Sequence, residues 1–290
     1  MVRKQAPTRC YEIVVPTDFS PASTRAMAFA MALSRPRTRI TAVHALDPFP
    51  YAFGPRETSS LRRQQAWASA HDSMASWMRE GKFCVAEMVV IEGDPSIAVP
   101  EFASSRGANL VVLGTSARRH GERLLLGSVA EEIFRGIKCP VIVLGAKARY
   151  RKRGKMAQFV FATDLEPHSL AALSQLSTLS ARFHAVVAVI RAFPHDADVQ
   201  GARKQLQKET RERLWAAADQ KLRRRIKKIH IVFSPSAKAI PDHATRLHAD
   251  AIVMGIRSGG ELSRAATHIP WTLAHRVIAE AKCPVITIRG

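Results

Sequence analysis

The chain has 290 residues, 47% of them hydrophobic and 23% charged, a composition typical of a globular protein long enough for two domains. No uncharged apolar run of about 18 residues occurs, no signal-peptide core follows the first residues, and the four cysteines lack Cys-X-X-Cys spacing; we therefore expect a cytoplasmic protein with reduced thiols and no membrane helix. The formal net charge of +20 favours acidic partners such as nucleotides, nucleic acid or anionic surfaces, with simple solubility as the alternative.

Short apolar runs alternate with Ala-, Met- and Leu-rich stretches in the first half of the chain. Two of these stretches open with helix start signals, Ser20-Pro21 and Asp94-Pro95. The pattern predicts βαβ units and a parallel sheet covered by helices on both faces. The predicted strands are 12–16, 40–46, 85–91, 109–113 and 140–144, and the predicted helices are 20–34, 59–80, 94–106 and 127–136.

The segment from Gly114 to Ser128, GTSARRHGERLLLGS, is the clearest functional signal. It leaves a buried strand and enters a helix, where backbone N–H groups and the helix dipole attract anions. Glycine allows a phosphate close to the main chain, and Ser128 with Glu131 forms a capping box. The segment therefore predicts a site for a phosphate-bearing ligand, with ordinary turn chemistry as an equally weighted alternative.

The two halves of the chain repeat each other. Three segments return in the same order at nearly one offset, which indicates a duplication. The segments starting at Ile13, Asn109 and Lys138 return at Phe159, Asp250 and Lys282. We expect domains at residues 1–148 and 156–290, joined by a charged linker.

At these residues the chain resembles the universal stress protein family in its tandem, two-domain form. The family loop has a glycine, two residues, a second glycine, nine residues and then Gly-Ser, and a strand-end aspartate corresponds to Asp18 and Asp164. The resemblance implies an α/β fold of two tandem, doubly wound, Rossmann-like (HUP-type) domains. Each would hold a five-stranded parallel sheet of order 3-2-1-4-5, and the domains would pair along their last strands within the chain.

The resemblance also implies an ATP site in the first domain, accompanied by Mg²⁺ or Mn²⁺. The aspartate and a second-strand residue would contact adenine, and the loop would hold the phosphates. We take the second-strand residue as Ala45 in the first half and Val189 in the second. The predicted site comprises Thr17, Asp18, Ala45, Gly114, Thr115, Ala117, Arg118, Gly127, Ser128 and Val129. Ala117 stands where the family has its second glycine, which weakens phosphate binding, and the neighbouring basic residues offset part of that loss.

The second half departs further from the family pattern. No Gly-Ser follows Gly255 at the required spacing, and Pro270 removes a backbone donor. We therefore expect a structural or regulatory second domain without family-type ATP binding. No catalytic set can be assembled, so the chain is expected not to be an enzyme, with slow ATP hydrolysis as an alternative.

A dense basic run extends from Lys221 to Lys228. We interpret it as a solvated helix end, because no aromatic residue interrupts it. Nucleic-acid binding remains an alternative, as does a nucleotide-free scaffold that binds acidic partners through the basic second half. A homodimer also remains open.

Overall fold

A computed structural model of the protein describes residues 10–49, 56–83, 86–115, 118–120, 123–125, 128–151, 154–193, 202–257 and 269–290. The first half holds strands β1 to β7 and helices α1 to α4. In chain order these elements are β1 (Tyr11–Pro16), α1 (Pro21–Ala32), β2 (Thr38–Leu46), α2 (Arg56–Glu80), β3 (Glu87–Glu92), α3 (Pro95–Ser105), β4 (Leu110–Gly114), β5 (Arg118–His120), β6 (Arg123–Leu125), α4 (Ser128–Gly136) and β7 (Val141–Leu144).

The second half repeats the arrangement. Its elements are β8 (Gln158–Ala162), α5 (Pro167–Ala171), α6 (Leu173–Arg182), β9 (Val186–Phe193), α7 (Ala202–Ala217), α8 (Gln220–Arg225), β10 (Ile226–Phe233), α9 (Ser236–Arg246), β11 (Ala251–Ile256), α10 (Ile269–Glu280) and β12 (Val285–Arg289).

The predicted strands and helices of the first half are confirmed to within about three residues. Both helix start signals work as expected, since Ser20 Oγ accepts from Ser23 N at 3.3 Å and Asp94 Oδ1 accepts from Ser96 N at 2.8 Å. One detail differs, because α4 begins at Ser128 itself and not one residue after it. The antiparallel hairpin of β5 and β6 lies inside the predicted loop and was not predicted.

One ten-stranded sheet unites the two halves. Its order is β10-β9-β8-β11-β12-β7-β4-β1-β2-β3, so each half contributes five parallel strands in the order that the resemblance implies. The halves meet at β7 and β12, which pair antiparallel with Ile142 opposite Ile286 and Val143 opposite Val285. The last strand of each half therefore covers the edge of the other, as predicted.

Alternate residues of each strand enter two apolar layers, one on each face of the sheet. Ile13 and Val15 lie in one layer and Val14 in the other; Phe159 and Val160 divide in the same way. This alternation buries both faces of every central strand, as a doubly wound sheet requires.

The connection between the halves is packed against both of them. Arg25 of α1 donates to the carbonyls of Gly145 and Ala148 at 3.1 and 3.0 Å, and Arg149 N donates to Lys282 O at 2.9 Å. Arg182 of α6 also reaches the first half, where its guanidinium donates to Thr38 Oγ1 at 2.7 Å. The start of the predicted linker, at Ala148 and Arg149, therefore contacts both halves.

No helix in the described part of the chain is long and apolar enough to cross a bilayer. Three cysteines are described and all are free thiols. Burial raises the pKa of Cys139 to about 11 and that of Cys283 to about 12, so both stay protonated at neutral pH.

A histidine pair joins the outermost strand of the second half to the helix beneath it. The rings of His230 on β10 and His243 on α9 meet edge to face with centroids 4.5 Å apart. Burial lowers the pKa of both imidazoles, with contributions from Lys228 at His230 and from His230 and Arg246 at His243. Among the described residues, His230 Nε2 and both ring nitrogens of His243 have no hydrogen-bond partner.

We expect acid to destabilise the protein through this pair. The folded-state pKa of each histidine lies below its pKa in the unfolded chain. The stability of the protein therefore does not suffer from this pair above the unfolded pKa, and it falls as the pH drops from the unfolded pKa through the folded-state pKa. In thermal melts between pH 7.5 and 5.5, His243→Phe should shrink the loss of melting temperature, whereas His71→Phe, at an exposed histidine, should not. An undiminished loss in His243→Phe would contradict this assignment.

Candidate functional site

A tight turn follows β1 at the carboxyl edge of the first half's strands. Thr17 N donates to Val43 O at 2.8 Å, which fixes the turn to β2, and Phe19 N donates to Thr17 Oγ1 at 3.0 Å. Ser20 N donates to Asp18 Oδ1 at 3.0 Å. Phe19 adopts φ 61°, a left-handed conformation that these side-chain acceptors stabilise.

The Asp18 carboxylate is held ionised. Burial alone would raise its pKa, but the hydrogen bonds from Ser20 and Ser23 outweigh burial and lower the pKa below its usual value. An exposed, ionised carboxylate at a sheet's carboxyl edge is a suitable acceptor for a ligand hydroxyl or amine.

The second half repeats this turn bond for bond. Thr163 N donates to Ile190 O at 3.1 Å, Leu165 N to Thr163 Oγ1 at 2.9 Å, and Glu166 N to Asp164 Oδ1 at 3.0 Å. Leu165 takes φ 67°, matching Phe19. The duplication seen in the sequence therefore extends to backbone conformation.

The two turns differ in what faces the aspartate. In the second half, His168 Nε2 lies 3.6 Å from Asp164 Oδ2, and Ser169 Oγ donates to Asp164 Oδ1 at 2.6 Å. Burial acts to raise the pKa of Asp164, and the bonds from Ser169 and Glu166 together with the charge of His168 lower it. The residue of the first half that corresponds to His168 is Ala22, which has no polar side chain. Among the side chains that the structure describes, the imidazole of His168 lies beside Asp164 and none lies beside Asp18.

Gly114 ends β4 next to the start of α1. A Cβ at this position would lie 1.9 Å from Ala22 O, so only glycine allows the helix to pack against the strand end. Gly255 has the same place in the second half, where a Cβ would lie 2.7 Å from Ser169 Cα. Since the second half keeps this glycine without the rest of the loop pattern, packing is sufficient to explain it.

Five of the predicted site residues lie together at this edge on three adjacent strands. Thr17 and Asp18 follow β1, Ala45 is in β2, and Gly114 and Thr115 end β4. Thr115 is buried, and both its amide and its hydroxyl donate to Leu144 O.

The other predicted residues belong to the loop after β4. Ala117 and Gly127 lie outside the described residues. Arg118 starts β5, and Ser128 and Val129 open α4. The β5–β6 hairpin lies next to α10, so the loop of the first half is in contact with a helix of the second.

The two residues predicted for the second strand, Ala45 and Val189, are not at equivalent positions in the two halves. Thr17 N bonds to Val43 O, and its counterpart Thr163 N bonds to Ile190 O, so Ala45 corresponds to Ala192 and not to Val189. Val189 is fully buried in the layer on the opposite face of the sheet. Val189 and Ala192 are three residues apart, and two residues an odd number of positions apart on a strand point to opposite faces of the sheet.

A cavity of about 430 Å³ opens at the carboxyl edge of the second half. Its wall combines polar groups from the turn with apolar side chains from the strands and from helices α9 and α10. The residues that define it include Asp164, His168, Ala192, Ser236, Met254 and Arg257. At the equivalent edge of the first half, the chain after Thr115 continues into residues outside the described ranges.

Within the described ranges, no group of three or more His, Cys, Asp or Glu side chains is arranged to hold a metal ion.

The geometry defines a class: a tandem pair of doubly wound α/β domains with a polar turn at the carboxyl edge of each sheet. A family model for the universal stress protein family matches residues 12–145 and 156–289. The chain belongs to this family, whose members are stress-response proteins.

One relative agrees with this assignment, and two solved structures share the fold. The chain is 32% identical over 142 residues to a universal stress protein of Methanocaldococcus jannaschii, an alignment covering 46% of this chain and 81% of the relative. The crystal structure of a universal stress protein from Archaeoglobus fulgidus DSM 4304 aligns with a TM-score of 0.66 at 17% identity, over 96% of each chain. A functionally unknown protein from Pseudomonas aeruginosa PAO1 aligns with a TM-score of 0.56 at 13% identity, over 96% of this chain and 92% of the other.

Proposed function

We propose that the first half binds one adenine nucleotide, ATP, at the carboxyl edge of its strands, and that the second half has a structural or regulatory role. Thr17, Asp18, Ala45, Gly114 and Thr115 would form the described part of the site. The loop residues Ala117, Arg118, Gly127, Ser128 and Val129 would complete it around the phosphates, with Mg²⁺ or Mn²⁺ neutralising part of their charge.

The contrast between the two aspartates carries this proposal. The turn around Asp18 uses the carboxylate oxygen Oδ1 for the Ser20 amide, and Ser23 also bonds the carboxylate, as its counterpart Ser169 does at Asp164. Among the side chains that the structure describes, His168 is an additional contact of Asp164 that has no equivalent at Asp18. A ligand hydroxyl or amine therefore competes with protein donors at Asp164 to a greater extent than at Asp18.

The residues present are compatible with a nucleotide on two grounds. The Asp18 carboxylate is ionised at the sheet edge where doubly wound folds bind nucleotides. Ala45 presents a small side chain beside it, in the strand next to β1, which leaves room for a flat ring. Gly114 also supports the architecture of the site, since α1 packs where any larger residue would place its Cβ.

The matched substitutions Asp18→Asn and Asp164→Asn test the proposal. Asparagine keeps an oxygen that accepts from the turn amide, so both turns should persist while the charge is lost. In calorimetric titration with MgATP, we expect one site per chain in the wild type. Asp18→Asn should weaken binding about tenfold or more, the loss typical of one charged hydrogen bond, and Asp164→Asn should leave it unchanged.

Two results would contradict the proposal: two equivalent sites per chain, or an equal loss of affinity in both variants. The nucleotide released on denaturing the purified protein separates the rival functions. ATP supports the binding module, ADP formed with turnover supports a slow ATPase, and protein that neither carries nucleotide nor binds it in titration supports the nucleotide-free scaffold.

A further inference from the structure

A strongly basic surface lies at the outer edge of the second half. We define the basic edge as residues 202–233, which form α7, α8 and β10. This segment has eleven Lys and Arg residues against three Asp and Glu residues. Ten of the eleven are exposed, five lysines and five arginines: Arg203, Lys204, Lys208, Arg211, Arg213, Lys221, Arg223, Arg224, Lys227 and Lys228.

The same unit of the first half gives an internal comparison. Residues 56–92 form α2 and β3 at the opposite end of the sheet and contain five basic and five acidic residues. The duplicated fold therefore does not require the charge. The positive charge is therefore a property of the basic edge itself and not of the architecture that both halves share.

Helix α7 lies along β10, which brings basic residues of the helix close to the edge strand. The Arg203 guanidinium lies 5.5 Å from the ring centre of Phe233, at the end of β10, and Gln207 Nε2 donates to Ile229 O at 3.0 Å, nearer its middle. Helix and strand thus run in opposite directions, and α8 leads directly into Ile226. With 16 residues, α7 is about 24 Å long.

The three acidic residues of the basic edge are already engaged. Glu209 lies 3.4 Å from Arg191 and 4.0 Å from Arg213, and Glu212 lies 3.9 Å from Lys208. The Asp219 carboxylate accepts hydrogen bonds from Leu222 N and Ser177 Oγ. The bond from Leu222 N makes Asp219 the N-cap of α8. Within the described part of the chain, no carboxylate pairs with Lys204, Lys221, Arg224 or Lys228.

Protection of an edge strand accounts for only part of this charge. β10 is the last strand of the sheet, and lysines such as Lys227 and Lys228 prevent other chains from extending it. The other eight exposed basic residues are on helices, where they protect no edge. The presence of eight exposed basic residues on these helices therefore requires another explanation.

We infer that the basic edge binds the phosphate backbone of double-stranded nucleic acid without reading its sequence. The exposed cations of α7 extend from Arg203 to Arg213, over about 15 Å of the helix, and others follow on α8 and β10. Such a density of cations suits a polymer with regularly spaced phosphates, and arginine bonds phosphate in bidentate fashion. Taken by itself, the run Lys221–Lys228 is explained as a solvated helix end. The structure joins the run to α7, which adds five more exposed cations to the same surface.

The aromatic residues of the surface favour a duplex over a single strand. Phe193, Phe233 and Trp215 are half-buried and lie beneath the guanidiniums of Arg191, Arg203 and Arg211. Single-strand binders instead need open aromatic faces on which bases stack. A lipid surface fits less well, because the large hydrophobic residues exposed in the described chain, such as Phe49 and Met88, lie in the first half.

Two matched quadruple variants test this inference. The first replaces Lys204, Lys221, Arg224 and Lys228 with glutamine. The control replaces four exposed basic residues of the first half, Arg62, Arg79, Lys82 and Lys138, in the same way. Both variants remove four charges from side chains that have no ion pair with a described residue, and both should melt within about 2 °C of the wild type, as surface substitutions do.

Binding to a mixed-sequence 24-base-pair duplex is followed by fluorescence anisotropy between 50 and 300 mM KCl. Each phosphate that the protein no longer neutralises reduces the slope of log affinity against log salt by about 0.9. We expect the slope of the basic-edge variant to fall by about 3 and its affinity to fall about a hundredfold at 100 mM KCl, while the control stays within about threefold of the wild type.

Three outcomes would overturn the inference. They are wild-type protein that fails to bind the duplex, an equal loss of affinity in both variants, and tighter binding to phosphatidylserine vesicles than to duplex at equal phosphate concentration. Nucleotide binding in the first half is measured separately, so neither result decides the other.

Discussion

Replacing Gly114 with alanine should lower the free energy of unfolding by about 3 kcal/mol, the upper range for overpacking a rigid site. The added methyl group would lie 1.9 Å from Ala22 O and 2.4 Å from Ala22 C. Both are backbone atoms in the first turn of α1, so they cannot move away as a flexible side chain would. Relief requires α1 to shift from the sheet and from the apolar layer that Met27 and Phe29 enter.

Gly107→Ala is the matched control for this prediction. Gly107 has φ 63° and nothing within 4 Å of an added Cβ, so alanine there bears only the cost of the left-handed conformation, about 1–2 kcal/mol. Urea denaturation of both variants gives the comparison. A smaller loss in Gly114→Ala than in Gly107→Ala would show that α1 adjusts easily and that packing does not require the glycine.

The same glycine illustrates what sequence reasoning can and cannot establish. The order of apolar runs, the helix caps at Ser20 and Asp94, and the repeat were enough to predict the strands, the helices and the duplication, because each depends on neighbouring residues. The packing role of Gly114 depends on Ala22, which is 92 residues away in the sequence. A contact of that kind leaves no local sequence pattern, so the sequence alone assigns Gly114 only a role in phosphate binding.

The second-half site shows a related limit. The exchange of Ala22 for His168 is visible in the sequence, but its meaning depends on the 3.6 Å distance between His168 Nε2 and Asp164 Oδ2. Likewise, Val189 and Ala192 are both small apolar residues of one strand, and only the hydrogen bond of Thr163 to Ile190 establishes which of them faces the cavity. The register of adjacent strands therefore determines the candidate site more strongly than residue type does.

The junction between the halves gives the second large prediction. Val143 is fully buried and lies opposite Val285 where β7 pairs with β12. Lysine at this position would bury an ammonium group with no carboxylate beside it in the paired strand. An uncompensated buried charge costs about 4 kcal/mol, so Val143→Lys should separate the halves or unfold them together.

Met88→Lys is the control for the junction, because Met88 is 50% exposed on the edge strand β3 and should tolerate lysine within about 0.5 kcal/mol. Small-angle scattering should show a larger radius of gyration for Val143→Lys than for either Met88→Lys or the wild type. Equal radii and equal unfolding free energies in the two variants would rule out β7–β12 pairing as the contact that joins the halves. Since that pairing covers the edge strand of both halves, its loss should also make the protein self-associate, which gel filtration at increasing concentration would detect.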